Sequence, residues 1–149
     1  KLVGKEEKYI PYNTNAFSST PIDEAFIAHY PNPEKIRWEL HRVWKLEATV
    51  KAGKRHAVPK RTYYLDEDTW AVSLVDGYDA KNQLWRATLT FPFVDAEVPL
   101  VLSYSSCTFD FQASTYSCGS FMNGGYWKVA EPKRDSFFTG DSLASESAG

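Results

Sequence analysis

Residues 37–51, Arg-Trp-Glu-Leu-His-Arg-Val-Trp-Lys-Leu-Glu-Ala-Thr-Val-Lys, decide the fold class. The even positions are Trp38, Leu40, Arg42, Trp44, Leu46, Ala48 and Val50, and the odd ones are Glu39, His41, Val43, Lys45, Glu47, Thr49 and Lys51. Apart from the exchange of Arg42 for Val43, apolar and polar residues alternate with period two, which is the pattern of a half-buried strand. Ala52-Gly53-Lys54 reads as a turn. Strands follow at 55–65, 70–78, 84–93, 100–104, 107–111 and 115–118, separated by Asp66-Glu67-Asp68, by 79–83 and by 112–114. Successive strands joined by short turns form an antiparallel meander. Upstream, 1–13 reads as a short strand ending in a turn at Pro11 and Asn13. Thr20-Pro21-Ile22-Asp23-Glu24 reads as the start of a helix over 21–30 that Pro31 and Pro33 end. The expected fold is mainly β, a curved antiparallel meander with one short helix. A sheet domain over 1–130 is followed by a polar tail over 131–149.

Composition sets the outer limits. With 149 residues, 43% hydrophobic and 24% charged, the chain fits one folded domain with its own core. A net charge of −2 lacks the basic excess of a nucleic-acid binder. No apolar run is long enough to span a bilayer as a helix. The chain starts at Lys1 rather than Met, as a processed or trimmed protein would.

Registers counted from turn centres at Gly53, Glu67 and Lys81 place Arg42 opposite Tyr64, Trp44 opposite Thr62, and Asp76 opposite Arg86. One face then gathers Trp38, Leu40, Trp44, Leu46, Tyr64, Trp70, Leu74 and Tyr78, together with Val58 and Val72. Arg42, Lys60, Asp76 and Arg86 are embedded in it. A slip of one residue reverses such a face. The face reads either as a packed core whose charges pair at its rim or as a concave pocket that holds an amphiphile. In the strand at 84–93 the odd positions Trp85, Ala87, Leu89, Phe91 and Phe93 are the more apolar, so that strand carries a bulge or is covered on both sides.

Chemical motifs are sparse. His29, His41 and His56 have no metal-ligand spacing, and Asp66-Glu67-Asp68 reads as a solvated turn without the glycine and distal glutamate of a calcium loop. There is no nucleophile elbow and no phosphate-binding glycine loop, so neither catalytic residues nor a cofactor are expected. Cys107 and Cys118 lie across a hairpin centred on Gln112-Ala113; they read as a disulfide or as two buried thiols, and a bridge points to an oxidising compartment.

The run NPEKIRWELHRVWKLEATVKAGKRH (32–56), followed by KRTYYLDEDTWAVSLVDGYDAKNQLWR (60–86), resembles the bacterial envelope proteins of domain-of-unknown-function family 1329. LVGKEEKYIPYN (2–13) is similar to the stretch just upstream in that family. The resemblance is strong over about residues 1–90 and fades after Phe91. The family is related in fold to the outer-membrane lipoprotein-sorting proteins, the LolA/LolB group, whose hollow holds acyl chains. The resemblance implies a half-open barrel plugged by a helix or loop and a periplasmic or outer-membrane-associated location; members of the family are often encoded near resistance-nodulation-division type exporters, which implies transport of an apolar compound and an envelope transporter as a partner. It defines no catalytic residues. Family members are longer, so the chain is expected to match their C-terminal portion and to pair its sheet edges with a missing N-terminal half or a second polypeptide. Together these readings predict a non-enzymatic carrier for lipid, lipoprotein acyl chains or another hydrophobic molecule. The competing reading is an interaction module that docks through its sheet; a small hydrolase or isomerase in a barrel mouth is the least favoured.

Overall fold

The alternation read in the sequence becomes one continuous ladder. The computed structural model describes residues 1–121 and 129–146. Its strands are β1 (Leu2–Pro11), the short pair β2 (Phe26–Ile27) and β3 (Tyr30–Pro31), β4 (Trp38–Thr49), β5 (Lys60–Asp66), β6 (Val72–Tyr78), β7 (Leu84–Asp95), β8 (Leu100–Asp110) and β9 (Thr115–Gly119). All but β2 and β3 form a seven-stranded antiparallel sheet in the order β1-β4-β5-β6-β7-β8-β9. The sheet stays open, with β1 and β9 at its edges. It is nonetheless strongly bent, because β1 touches β6 and β7 although β4 and β5 lie between them in the ladder. The stretch after β1 crosses that hollow: Thr14 N–H and hydroxyl both donate to the Pro92 carbonyl, at 2.9 and 2.8 Å, and Asn15 bonds Val94 in both directions.

Three readings need correction. The helix expected over 21–30 is instead α1 (Asn15–Ser19) and the single turn α2 (Ile22–Ala25). Phe26 and Ile27 leave the helix for the small β2–β3 hairpin, since the aromatic ring of Phe26 is packed against Phe17 and Phe121. Thr20 is not the N-cap of α2, a place taken by Pro21; it closes α1 as its C-cap, with its N–H donating to the Phe17 carbonyl and its hydroxyl to the Ala16 carbonyl. The segments 100–104 and 107–111 are a single strand, β8. Trp70 lies outside the strand, with φ +59° in the turn before β6.

The registers also differ, and with them the faces. Between β4 and β5, Thr49 pairs Lys60 and Lys45 pairs Tyr64. The connection is a ten-residue loop closed by Val50 N–H to Pro59 O, so its centre lies beyond Gly53 and the parity reverses. Between β6 and β7, Asp76 pairs Ala87 while Gly77 pairs Arg86. Asp76 and Arg86 therefore stand on opposite faces and form no pair. Bulges at Tyr64/Leu65, Gly77/Tyr78 and Phe91/Pro92 bend the ladder further.

The core lies on the inner face, the one crossed by α1. Phe17, Ala25, Ile36, Phe91 and Cys107 form one buried cluster, with Phe26, Leu89, Phe109, Cys118 and Phe121 against it. Ile10, Val43 and Tyr64 form a second, beside Tyr12 and Leu74. Phe17 is fully buried and its ring lies 4.8 Å from that of Phe91. The apolar odd positions of β7 thus face inward, as do the more polar odd positions of β4. On the outer face, Val58 from the 50–59 loop lies over Gly77, where a Cβ would come within 2.9 Å of Val58 Cγ1. The segment expected as a polar tail holds a 3-10 turn (Asp135–Phe138) and the helix α3 (Gly140–Glu146), both largely exposed. Among the described residues no helix is long and apolar enough to cross a membrane.

Candidate functional site

The inner face changes character along the sheet. Near β8 and β9 it is apolar. There the β2–β3 hairpin leans over the edge strand, held by the Tyr116 hydroxyl donating to the Ile27 carbonyl at 3.1 Å. Ile22, Phe26, Tyr116, Cys118, Gly119, Ser120 and Phe121 line an open groove of about 460 Å³. His29, Tyr30, Phe109, Asp110, Phe111, Ser114 and Thr115 line another of about 410 Å³. Each has the size of a small-molecule site, roughly 300–1,000 Å³. One wall of the first groove is covalently fixed: Cys107 pairs Cys118 in the ladder and the two form a disulfide. That bridge fastens the five-residue β9 to the buried side of β8.

Toward β1 and β4 the same face is polar. The Tyr64 hydroxyl donates to Asp76 Oδ2 at 3.0 Å, and Lys8 Nζ sits 4.2 Å above the Tyr64 ring. Burial, then the charge and hydrogen bond of Asp76, raise the phenol above its ordinary range. Lys45 donates to Glu6 at 3.1 Å, and Lys60 lies 5.1 Å over the Tyr78 ring. At the end of this polar strip His41 meets the β5–β6 turn. Its Nδ1 is 3.1 Å from Asp66 Oδ1 and 3.7 Å from Asp68 Oδ2, and Nε2 is 3.4 Å from Glu39 Oε2. Tyr12 stacks on the imidazole at 4.1 Å. Its phenol is pushed up by burial first and then by the negative charges of Asp66, Asp68 and Glu39.

The aromatic trough read from the sequence is divided between two faces. Trp38, Leu40, Trp44 and Leu46 point outward with Arg42, while Tyr64, Leu74 and Tyr78 point inward with Lys60 and Asp76. Trp70 stacks on Trp44 at 6.1 Å, and Lys5 covers the Trp44 ring at 4.2 Å. Arg42 donates to Glu67 at 2.6 Å, and Lys5 does the same from β1, so hydrogen bonds from both cations hold the Glu67 carboxyl below the usual range. Arg86 finds Asp110 at 3.1 Å. The Asp110 carboxyl is lowered mainly by the Ala113 N–H and also by Trp85 and Arg86.

Two features escaped the sequence reading. Phe17 sits among the polar residues of TNAFSST (14–20), and only the folded hollow reveals its partner Phe91. His41 and the acidic turn are 25 residues apart, and the register that joins them depends on the length of the 50–59 loop. The apolar odd face of 84–93 was the visible sign that this side is the buried one.

The chain is 43% identical over 103 residues to the uncharacterized protein PA3922 of Pseudomonas aeruginosa; the match takes in 66% of this chain and 23% of that protein. The chain therefore spans less than a quarter of the curated relative it matches. Among solved structures it is similar to a DUF1329 family protein from Desulfovibrio piger, with TM-score 0.46, 16% identity, and 69% and 41% of the two chains covered. It is also similar to a domain from Vibrio parahaemolyticus assigned by its name to the outer membrane lipoprotein-sorting proteins, with TM-score 0.44, 13% identity and 89% and 59% covered. The description "Protein of unknown function (DUF1329)" matches residues 1–144, well past the point where the sequence resemblance fades to the eye. The chain belongs to the DUF1329 family.

Proposed function

We propose that this chain is part of an envelope carrier that takes an apolar molecule into the inner groove beneath the β2–β3 hairpin, in a binding rather than a catalytic role. The observation that carries this reading is the groove itself: phenylalanine-lined, open to solvent at the sheet edge, and walled by a disulfide-tethered strand. Each CH₂ buried there contributes about 0.8 kcal/mol, so a chain of moderate length binds without a strong polar contact. The disulfide favours an oxidising compartment, in keeping with the periplasm or the outer membrane.

Titration with the fluorescent apolar amine N-phenyl-1-naphthylamine tests the reading. Saturable emission enhancement, displaced by decanoate, is the expected result. Ile22→Lys alters an exposed groove residue and leaves the core intact; removing about 1.5–3 kcal/mol of side-chain burial, it weakens binding tenfold or more. Non-saturable enhancement, or enhancement indifferent to Ile22→Lys, contradicts the proposal.

A second reading has its own support. Tyr9, Trp38, Leu40 and Trp70 are exposed, at 64, 38, 53 and 66%. With the unpaired edge of β1 they offer a surface for a transporter or for further polypeptide of the same protein. Crosslinking from a photoreactive residue at position 40 in the full-length protein distinguishes this use from the groove.

A further inference from the structure

We propose that His41, Asp66 and Asp68 form a binding site for a divalent transition-metal ion of the zinc type, clipping β4 to the β5–β6 turn. The candidate ligand atoms all lie within 4.8 Å of one another. Two donors on a tetrahedral zinc ion, with bonds of roughly 2.0–2.2 Å, stand about 3.3–3.5 Å apart. The separations from His41 Nδ1, 3.1 Å to Asp66 and 3.7 Å to Asp68, fall on either side of that value. Small side-chain rotations therefore admit the ion.

The surrounding residues hold the ligands in place. Asp66 is 1% exposed. Its Oδ2 accepts from the Thr69 N–H at 3.0 Å and from the Thr69 hydroxyl at 2.7 Å, which leaves Oδ1 directed at His41. With Nδ1 on the metal, His41 Nε2 carries the proton and faces Glu39 Oε2 at 3.4 Å. A carboxylate on the second nitrogen is the usual outer partner of a metal-bound imidazole. The Tyr12 stack fixes the plane of the ring. Glu39 is in turn paired with Arg37 at 2.6 Å.

The donor chemistry selects among ions. Oxygen-only sites suit calcium and magnesium, whereas an imidazole nitrogen beside two carboxylates suits zinc, cobalt or nickel. Asp68 is mostly solvent-exposed, so a fourth coordination position opens to water. This inference is independent of the groove, which lies at the other end of the inner face.

The test uses chelator-stripped protein titrated with zinc chloride by calorimetry, and with cobalt(II) followed by its visible absorption. One ion per chain is expected, with cobalt bands of a mixed nitrogen and oxygen set. Asp68→Asn changes an exposed side chain and leaves the buried Asp66 in place; it weakens zinc binding more than tenfold. Glu39→Gln weakens it about 10–100-fold through the orientation of His41. Absence of stoichiometric binding overturns the proposal and leaves His41 as a hydrogen-bond partner of Asp66. Binding of undiminished affinity in both Asp68→Asn and His41→Gln also overturns it, since the ion then sits elsewhere. A response to calcium without any to cobalt does the same.

Discussion

Reduction of the Cys107–Cys118 bridge probes stability and the groove together. The two cysteines are 11 residues apart. In the chain-entropy description, opening a loop of that size frees the unfolded ensemble by about 2.8 kcal/mol at 25 °C. For a chain of this length a urea slope near 2 kcal/mol/M is ordinary, so the unfolding midpoint falls by about 1.4 M. The measurement is urea unfolding followed by tryptophan fluorescence, with and without dithiothreitol, and with a Cys107→Ala/Cys118→Ala double variant as control. Thiol titration of the unreduced, denatured protein must first find no free thiol. Because Cys118 and Gly119 line the groove, reduction also weakens N-phenyl-1-naphthylamine binding. A midpoint shift below about 0.3 M, or two titratable thiols in the oxidised protein, refutes the assignment of β9 as a strand held by a covalent bond.

Other substitutions test other parts of the account. Phe17→Ala empties the fully buried plug between α1 and β7 and costs about 3–5 kcal/mol in urea unfolding, whereas a loss under ~1 kcal/mol means the ring is not packed there. Tyr64→Phe removes the bond to Asp76 and costs about 1.5–3 kcal/mol near neutral pH. Since the native Tyr64 phenol titrates above its unfolded value of about 10, its contribution is complete below that pH and is lost as pH rises through the native value; Tyr64→Phe should remove that alkaline fall. Glu67 has the opposite sign: its carboxyl is lowered in the fold, so its contribution is present above about pH 4.5 and is lost on acidification. Glu67→Gln should shallow the acid limb of the stability profile, and an unchanged limb would show that the Lys5 and Arg42 contacts are not formed in solution.

Period-two alternation made the strands legible, because side chains on a pleated strand point alternately to its two faces. It did not show which face is inside. In β4 the richer face, Trp38, Leu40, Trp44 and Leu46, turns outward and is covered in part by Lys5 and Trp70. Its poorer face turns inward, where Glu39, His41, Lys45 and Glu47 surround the single buried Val43. Loop length is the hidden variable. A ten-residue connection in place of a tight turn at Gly53 reverses the parity of every pair in β4–β5, and residue types alone do not fix that length. The buried side was instead visible in β7, where Leu89 and Phe91 stand at odd positions. Helix propensity misled over 21–30 because the packing of Phe26 against Phe17 and Phe121 outweighed a local start signal five residues long.

On the proposed function the inner face, and not the tryptophan-bearing outer face, receives the apolar molecule. Amide chemical-shift mapping of the isotope-labelled protein with decanoate tests it most directly. Perturbations confined to Ile22, Phe26, Tyr116, Cys118 and Gly119, with Trp38, Leu40 and Trp70 silent, are the result predicted. Shifts concentrated on Trp38, Leu40, Trp44 and Trp70, or none at saturating decanoate, would contradict it.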